Sequence, residues 1–225
     1  MGSSVVVLSH QDVNRQADRG ATLVDIRTPR QYVQIHLANS WPVAGPRFGM
    51  PLLLDGRFAA GLRVVLIADT PVSGQVAADE LTPLGIHVIG VLASQPSTWQ
   101  PRGLKVIRGN LVRPPDFLTF LAANPTVEIV DVRESIEQEL HPFAPATRAL
   151  AFSQWPDILT VDDPSRPLLF VSGRDDRSVL AAWWAFQRGF SQVGYLVGGI
   201  IRYLHGDGYD PRAIARTTAG HGVFI

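Results

Sequence analysis

The chain has 225 residues, 46% of them hydrophobic and 18% charged, and its 20 basic and 20 acidic side chains cancel. That is a globular composition with material for one large domain or two ordinary ones, and it provides no net field to draw nucleic acid or anionic lipid. Cysteine is absent, which excludes disulfides, thiolate metal sites and cysteine nucleophiles.

The N-terminal apolar run, Val5 to Leu8, is four residues long, too short for a signal-peptide core or a membrane span, so a cytoplasmic location without a membrane partner is expected. Ser9 is placed to cap a helix over 9–18. "TLVDI" from Thr22 and "RVVLIA" from Arg63 read as buried strands, "GQVAADELTPLG" over 74–85 as a helix stopped by Gly85, and "HVIGVL" over 87–92 as a third strand. After a short link at 103–110, "PPDFLTFLAAN" predicts a helix with proline in its first turn. "VEIVDV" and "PLLFVS" follow as strands, "RSVLAAWWAFQRGF" as a helix, and "VGYLVGG" as a strand running into a turn. Short apolar strands alternating with helices predict an α/β protein of mainly parallel sheets flanked by helices.

The same order of elements occurs twice. "TLVDIRT" at 22–28 returns as "EIVDVRE" at 128–134, with Asp25 and Asp131 offset by 106 positions. "VVLIADT" at 64–70 matches "LLFVSGR" at 168–174 with an offset of 104, which Trp99 and Tyr203 share. Several pairs at nearly one spacing indicate duplication of a single domain. The expected division is a first domain over 1–105, a second over 106–212 and a tail over 213–225.

The repeat unit resembles the rhodanese-like sulfurtransferase family. "LVDIRTPRQYVQIHLANSWPV" is similar to its opening signature, an Asp-x-Arg strand end followed by a helix, a histidine and a small-residue turn. "SGRDDRSVLAAWWAFQRGFSQVGYLVGGIIRYLHGDGY" resembles its active loop, helix and closing Leu-x-Gly-Gly turn, with Arg177, Ser178, Gly189, Phe190, Leu196, Gly198, Gly199 and Tyr203 on the matching positions. The resemblance implies two tandem rhodanese-like domains. It also implies a cysteine at the head of the loop, whose thiolate takes sulfane sulfur from a donor such as thiosulfate and passes it on as a persulfide.

Ser172 occupies that cysteine position in the second repeat and Ala68 in the first, where Ser73 also replaces the loop arginine. The remaining loop, Gly173, Arg174, Asp175, Asp176, Arg177 and Ser178, has two readings. It is a residual anion or substrate pocket, or it is a capped turn in which Asp175 or Asp176 pairs with Arg174 or Arg177. Asp25 with Arg27, and Asp131 with Arg133, read as structural pairs because they recur whatever the loop contains.

Three functions compete on these grounds. The first is a binding or regulatory module without sulfurtransferase activity, whose partner is a small anion or a sulfur-carrying protein. The second is a thiosulfate sulfurtransferase with Ser172 standing in place of its cysteine. The third is a serine-based hydrolase or phosphatase, although no G-x-S-x-G hydrolase elbow surrounds Ser172. His10, His36, His87, His141, His205 and His221 show no metal-ligand spacing, and no metal or cofactor is expected. Trp155, Trp183, Trp184 and Tyr203 form a candidate aromatic face, and the terminal Val-Phe-Ile either docks on a neighbouring surface or frays.

Overall fold

Ser9 opens the first helix, α1 (His10–Asp18), through a reciprocal capping box in which its hydroxyl accepts from the Asp12 N–H and the Asp12 carboxylate accepts from the Ser9 N–H. The computed structural model describes residues 4–43, 60–154 and 163–206, and the chain divides into two units, Met1–Arg108 and Gly109–Ile225. Trp155, His221 and the tail over 213–225 lie outside the described residues.

In the first unit α1 is followed by β1 (Thr22–Asp25), α2 (Pro29–Gln34), β2 (His36–Leu37), β3 (Trp41–Pro42), β4 (Arg63–Ile67), α3 (Pro71–Leu81), β5 (His87–Leu92) and β6 (Val106–Ile107). Its main sheet has the order β3-β1-β4-β5 with every pair parallel, and β2 pairs antiparallel with β6. Val64 to Ile67 are fully buried, which is why β4 reads as an unbroken apolar run: both sheet faces are covered. One face packs Val64, Leu66, Ala77 and Leu81 together. The other gathers Val13, Val65, Ile67 and Trp99.

The second unit contains β7 (Asn110–Val112), α4 (Phe117–Ala123), β8 (Glu128–Asp131), α5 (Ser135–Leu140), β9 (Arg148–Ala149), β10 (Leu168–Val171), α6 (Asp175–Gln187), β11 (Val193–Leu196) and α7 (Gly199–His205). Its sheet is also parallel, in the order β7-β11-β10-β8-β9. The two registers correspond: Asp25 sits beside Ile67, and Asp131 beside Val171. On one face Phe117, Phe143 and Tyr203 make edge-to-face and tilted ring contacts at 4.9–6.0 Å, each such pair adding roughly 0.5–1.5 kcal/mol beyond its buried area.

The α/β class and the parallel sheets are as expected, and three boundaries differ. The helix expected over 74–85 begins at Pro71, because Thr70 caps it, and passes into a 3-10 turn at Thr82–Leu84. The 103–110 link contains β6 and the first residue of β7. Most consequentially, α6 starts at Asp175, so Asp175, Asp176 and Arg177 form its first turn and the loop proper shrinks to Ser172–Arg174. Among the described residues no helix is long and apolar enough to cross a membrane.

Candidate functional site

Asp25 and Asp131 end the central strands β1 and β8, and each accepts from the arginine two residues on. The Arg27 Nε and backbone N–H reach Asp25 Oδ1 at 2.9 and 3.1 Å, and Nη2 reaches Oδ2 at 2.5 Å and the Ile35 carbonyl at 2.8 Å. Arg133 repeats this, with its backbone N–H 3.0 Å from Asp131 Oδ1, and with Nη2 2.7 Å from Oδ2 and 2.8 Å from the His141 carbonyl. Each guanidinium therefore fastens a strand end to the exit of the following helix, and both pairs are buried. Arg27 also lies 4.7 Å over the Trp99 ring.

Ser172 leaves β10 fully buried. Its hydroxyl donates to the Arg174 carbonyl, accepts from the Ser178 N–H at 3.2 Å and lies 3.3 Å from Ser178 Oγ. Ser178 Oγ in turn donates to the Asp175 carbonyl at 3.1 Å. The Ser172 hydroxyl is thus engaged in closing the turn at the start of a 13-residue helix. Asp175 and Asp176 lie in that helix's first turn, where its dipole favours carboxylates. Gly173 is buried, whereas Arg174 is exposed and serves as the backbone cap.

The expected pairing of Arg177 with Asp175 or Asp176 is replaced by a longer-range one. Arg177 Nη1 and Nη2 donate to Glu137 Oε2 and Oε1 at 2.6 and 2.8 Å, a two-pronged bridge from α6 to α5. The Arg177 hydrogen bonds hold the Glu137 carboxyl below its ordinary value, against the upward push of partial burial. Glu137 reciprocally raises Arg177. Asp175 Oδ2 instead accepts from the Gly198 N–H at 3.1 Å, tying the helix start to the glycine turn. Gly199 has φ +74°, and a Cβ there would come within 2.5–2.7 Å of Gly173 O, Ser172 O and Arg174 C. Only glycine lets that turn lie against the loop.

In the first unit Ala68 is buried and has no reactive group. Ser73 completes a capping box with Thr70, ahead of which Asp69 accepts from Gln31 Nε2 at 2.8 Å. Gln31 and Glu137 both sit at the third helical position, answering back to their own caps Thr28 and Glu134 while reaching across to the loop. One reaches an aspartate as a donor, the other an arginine as an acceptor.

No family model matches the chain. Among solved structures it is similar to a rhodanese-like domain from Anabaena, at 20% identity and a TM-score of 0.39, covering 51% of this chain and 89% of that one. It is also similar to a thiosulfate sulfurtransferase from Pseudomonas aeruginosa, at 20% identity and a TM-score of 0.34, covering 89% of this chain but only 39% of that enzyme. A 3-mercaptopyruvate sulfurtransferase from Leishmania major is 15% identical with a TM-score of 0.34, covering 98% and 79% of the two chains.

Other sequence candidates take structural places. His36 is buried, stacks on Tyr32 at 3.9 Å, and its Nδ1 lies 2.9 Å from the Tyr32 carbonyl. Burial lowers its pKa to about 4, so it is neutral over the physiological range. His36 and His141 are not counterparts, because the clamp places Ile35 opposite His141. Of the candidate aromatic face, Trp183 is buried with its ring 6.5 Å from that of Trp184, Trp184 also stacks with Phe152 at 6.1 Å, and Tyr203 joins Phe117 and Phe143, while Trp155 lies outside the described residues. Among the described residues no group of three His, Asp or Glu side chains is placed to hold a metal. Glu137 is the residue that sequence reasoning missed. Its signal was the Glu134-x-x-Glu137 capping spacing, which marks a helix start but not the reach to Arg177.

Proposed function

We propose that this protein is a tandem rhodanese-like protein that has lost sulfur transfer and works as a binding module. The observation carrying this reading is Ser172: the position for the sulfur nucleophile holds a buried hydroxyl that donates to the Arg174 carbonyl and accepts from the Ser178 N–H within its own turn. Oxygen there forms no persulfide, and the hydroxyl does not ionise as a thiol does at a helix N-terminus. Ala68 removes the chemistry from the first repeat, and the chain has no cysteine elsewhere. The engagement of Arg177 by Glu137 supports the same reading, because the cation that would receive a sulfane anion is already neutralised.

A second reading, a sulfurtransferase with serine in place of its cysteine, draws on the retained turn, in which the Ser178 N–H points at Ser172 Oγ. A thiosulfate:cyanide sulfurtransferase assay on the chain and on Ser172→Cys separates the two. The module reading expects no turnover from either. Robust turnover in Ser172→Cys would overturn it and favour the second reading.

A further inference from the structure

The second unit contains a cleft of about 710 Å3 between α5 and α7, closed at one end by the 141–145 turn and reaching inward to Gly173. Its walls include Ile136, Leu140, Phe143, Ile201, Tyr203 and Leu204. Ile136, Leu140 and Leu204 are 60%, 63% and 53% exposed, so three large apolar side chains on the facing helices stand in water instead of filling the core. The volume falls within the roughly 300–1,000 Å3 range typical of small-molecule pockets.

The charges decide what kind of molecule suits it. Among the described residues, the lining has Arg133 and Glu137 as its ionised side chains, with the imidazole of His141 beside them. Arg133 and Glu137 are already neutralised, Arg133 by Asp131 at 2.7 Å and Glu137 by Arg177 at 2.6 Å. An inorganic anion entering would be stripped of water without meeting, among the described lining residues, an arginine or lysine that is not already paired. At the inner end, the space over Gly173 is bordered by Arg177 Nη2 and Glu137 Oε1, each 3.7 Å from where a Cβ would stand, and by Ile201 Cδ1 at 3.8 Å. That end offers one donor edge and one acceptor edge beside aliphatic carbon.

We propose that this cleft binds an uncharged, mainly apolar small molecule, with a single hydrogen-bonding end lodged over Gly173. The assignment rests with the non-catalytic reading on one shared observation, the hold of Glu137 on Arg177, but the two fail separately. Sulfur transfer by Ser172→Cys would overturn that reading and leave the ligand class standing, while loss of ligand binding would do the reverse.

The test uses the full chain and the neutral fluorophore N-phenyl-1-naphthylamine. Saturable one-to-one binding is expected, undisturbed by millimolar thiosulfate. Leu140→Glu and Leu204→Glu change exposed positions, so the fold should persist by circular dichroism. Each should weaken binding about tenfold or more by setting an unpaired charge into an apolar wall. Val72→Glu, at a 72% exposed position on α3 of the first unit, should leave affinity unchanged. Non-saturable binding, affinity unchanged from the parent chain in both cleft variants, displacement by thiosulfate, or an equal loss in Val72→Glu would overturn the proposal. So would a chain that sediments as a dimer and becomes monomeric in Leu140→Glu, because a second copy would then be the occupant.

Discussion

Removing the Glu137 carboxylate should release Arg177, and the size of the effect follows from the contact. The pair is two-pronged at 2.6 and 2.8 Å, with Arg177 28% and Glu137 38% exposed at the side chain. Unit charges about 4 Å apart attract by about 1 kcal/mol in water and about 4 kcal/mol at an effective dielectric near 20. Partial exposure and the ordering of two long side chains bring the expected coupling to about 1 kcal/mol, the upper end for open surface pairs. A double-mutant cycle of Glu137→Gln, Arg177→Met and both, read by urea denaturation at neutral pH, measures it. Glutamine keeps an acceptor for the Glu134 N–H, 3.0 Å away, so the helix cap survives the change.

The pH dependence has a definite sign. Because Arg177 depresses the Glu137 carboxyl, its stabilisation is present above the ordinary value of 4.5 and is lost as pH falls through the lower folded value. The coupling should therefore fade in acid and shrink in high salt. A neutral-pH coupling below about 0.2 kcal/mol, under the roughly 0.2–1 kcal/mol typical of such pairs, would refute the electrostatic argument for both function and ligand class.

Three further outcomes are expected. Asp131→Ala strands the buried Arg133 guanidinium and should cost about 3–5 kcal/mol in urea denaturation, as should Asp25→Ala for Arg27; a loss below about 1 kcal/mol would remove the clamp from the account of the fold. His36 should stay neutral in NMR titrations until well below its ordinary 6.5, and its contribution, about 3 kcal/mol, should be full above that pH and drain away toward the folded value of about 4; a midpoint near 6.5 would contradict its burial. Gly199→Ala should cost more than about 2 kcal/mol, whereas Gly103→Ala, with φ +86° and no atom within 4 Å, should cost only the roughly 1 kcal/mol of its backbone conformation, and equal losses would discount the collision with the loop.

What could be read from residue order was whatever has a period or a local partner. Leu168 to Val171 is a strand because a fully buried parallel strand is apolar throughout, and Ser9 with Asp12 caps a helix across three residues. The start of α6 was misjudged because Asp175 and Asp176 look like loop residues, although carboxylates belong in a helix's first turn. The bonds that shape the loop leave no such trace. Arg177 reaches Glu137 across 40 residues and Asp175 reaches Gly198 across 23. The two-residue strands β2, β3, β6 and β9 were illegible for a similar reason, since each is defined by its partner and not by its own composition.

The Asp-x-Arg clamps have a bearing on how such a chain changes over time. Asp25–Arg27 and Asp131–Arg133 hold strand ends to helix exits through bonds that involve neither Ala68 nor Ser172. Mutations that rewrite a loop therefore leave this fastening intact, and the strand end of each repeat stays held whatever the loop contains. Substitution is then costly at the buried clamps, and a loop beside them can be altered while the strand ends stay fastened.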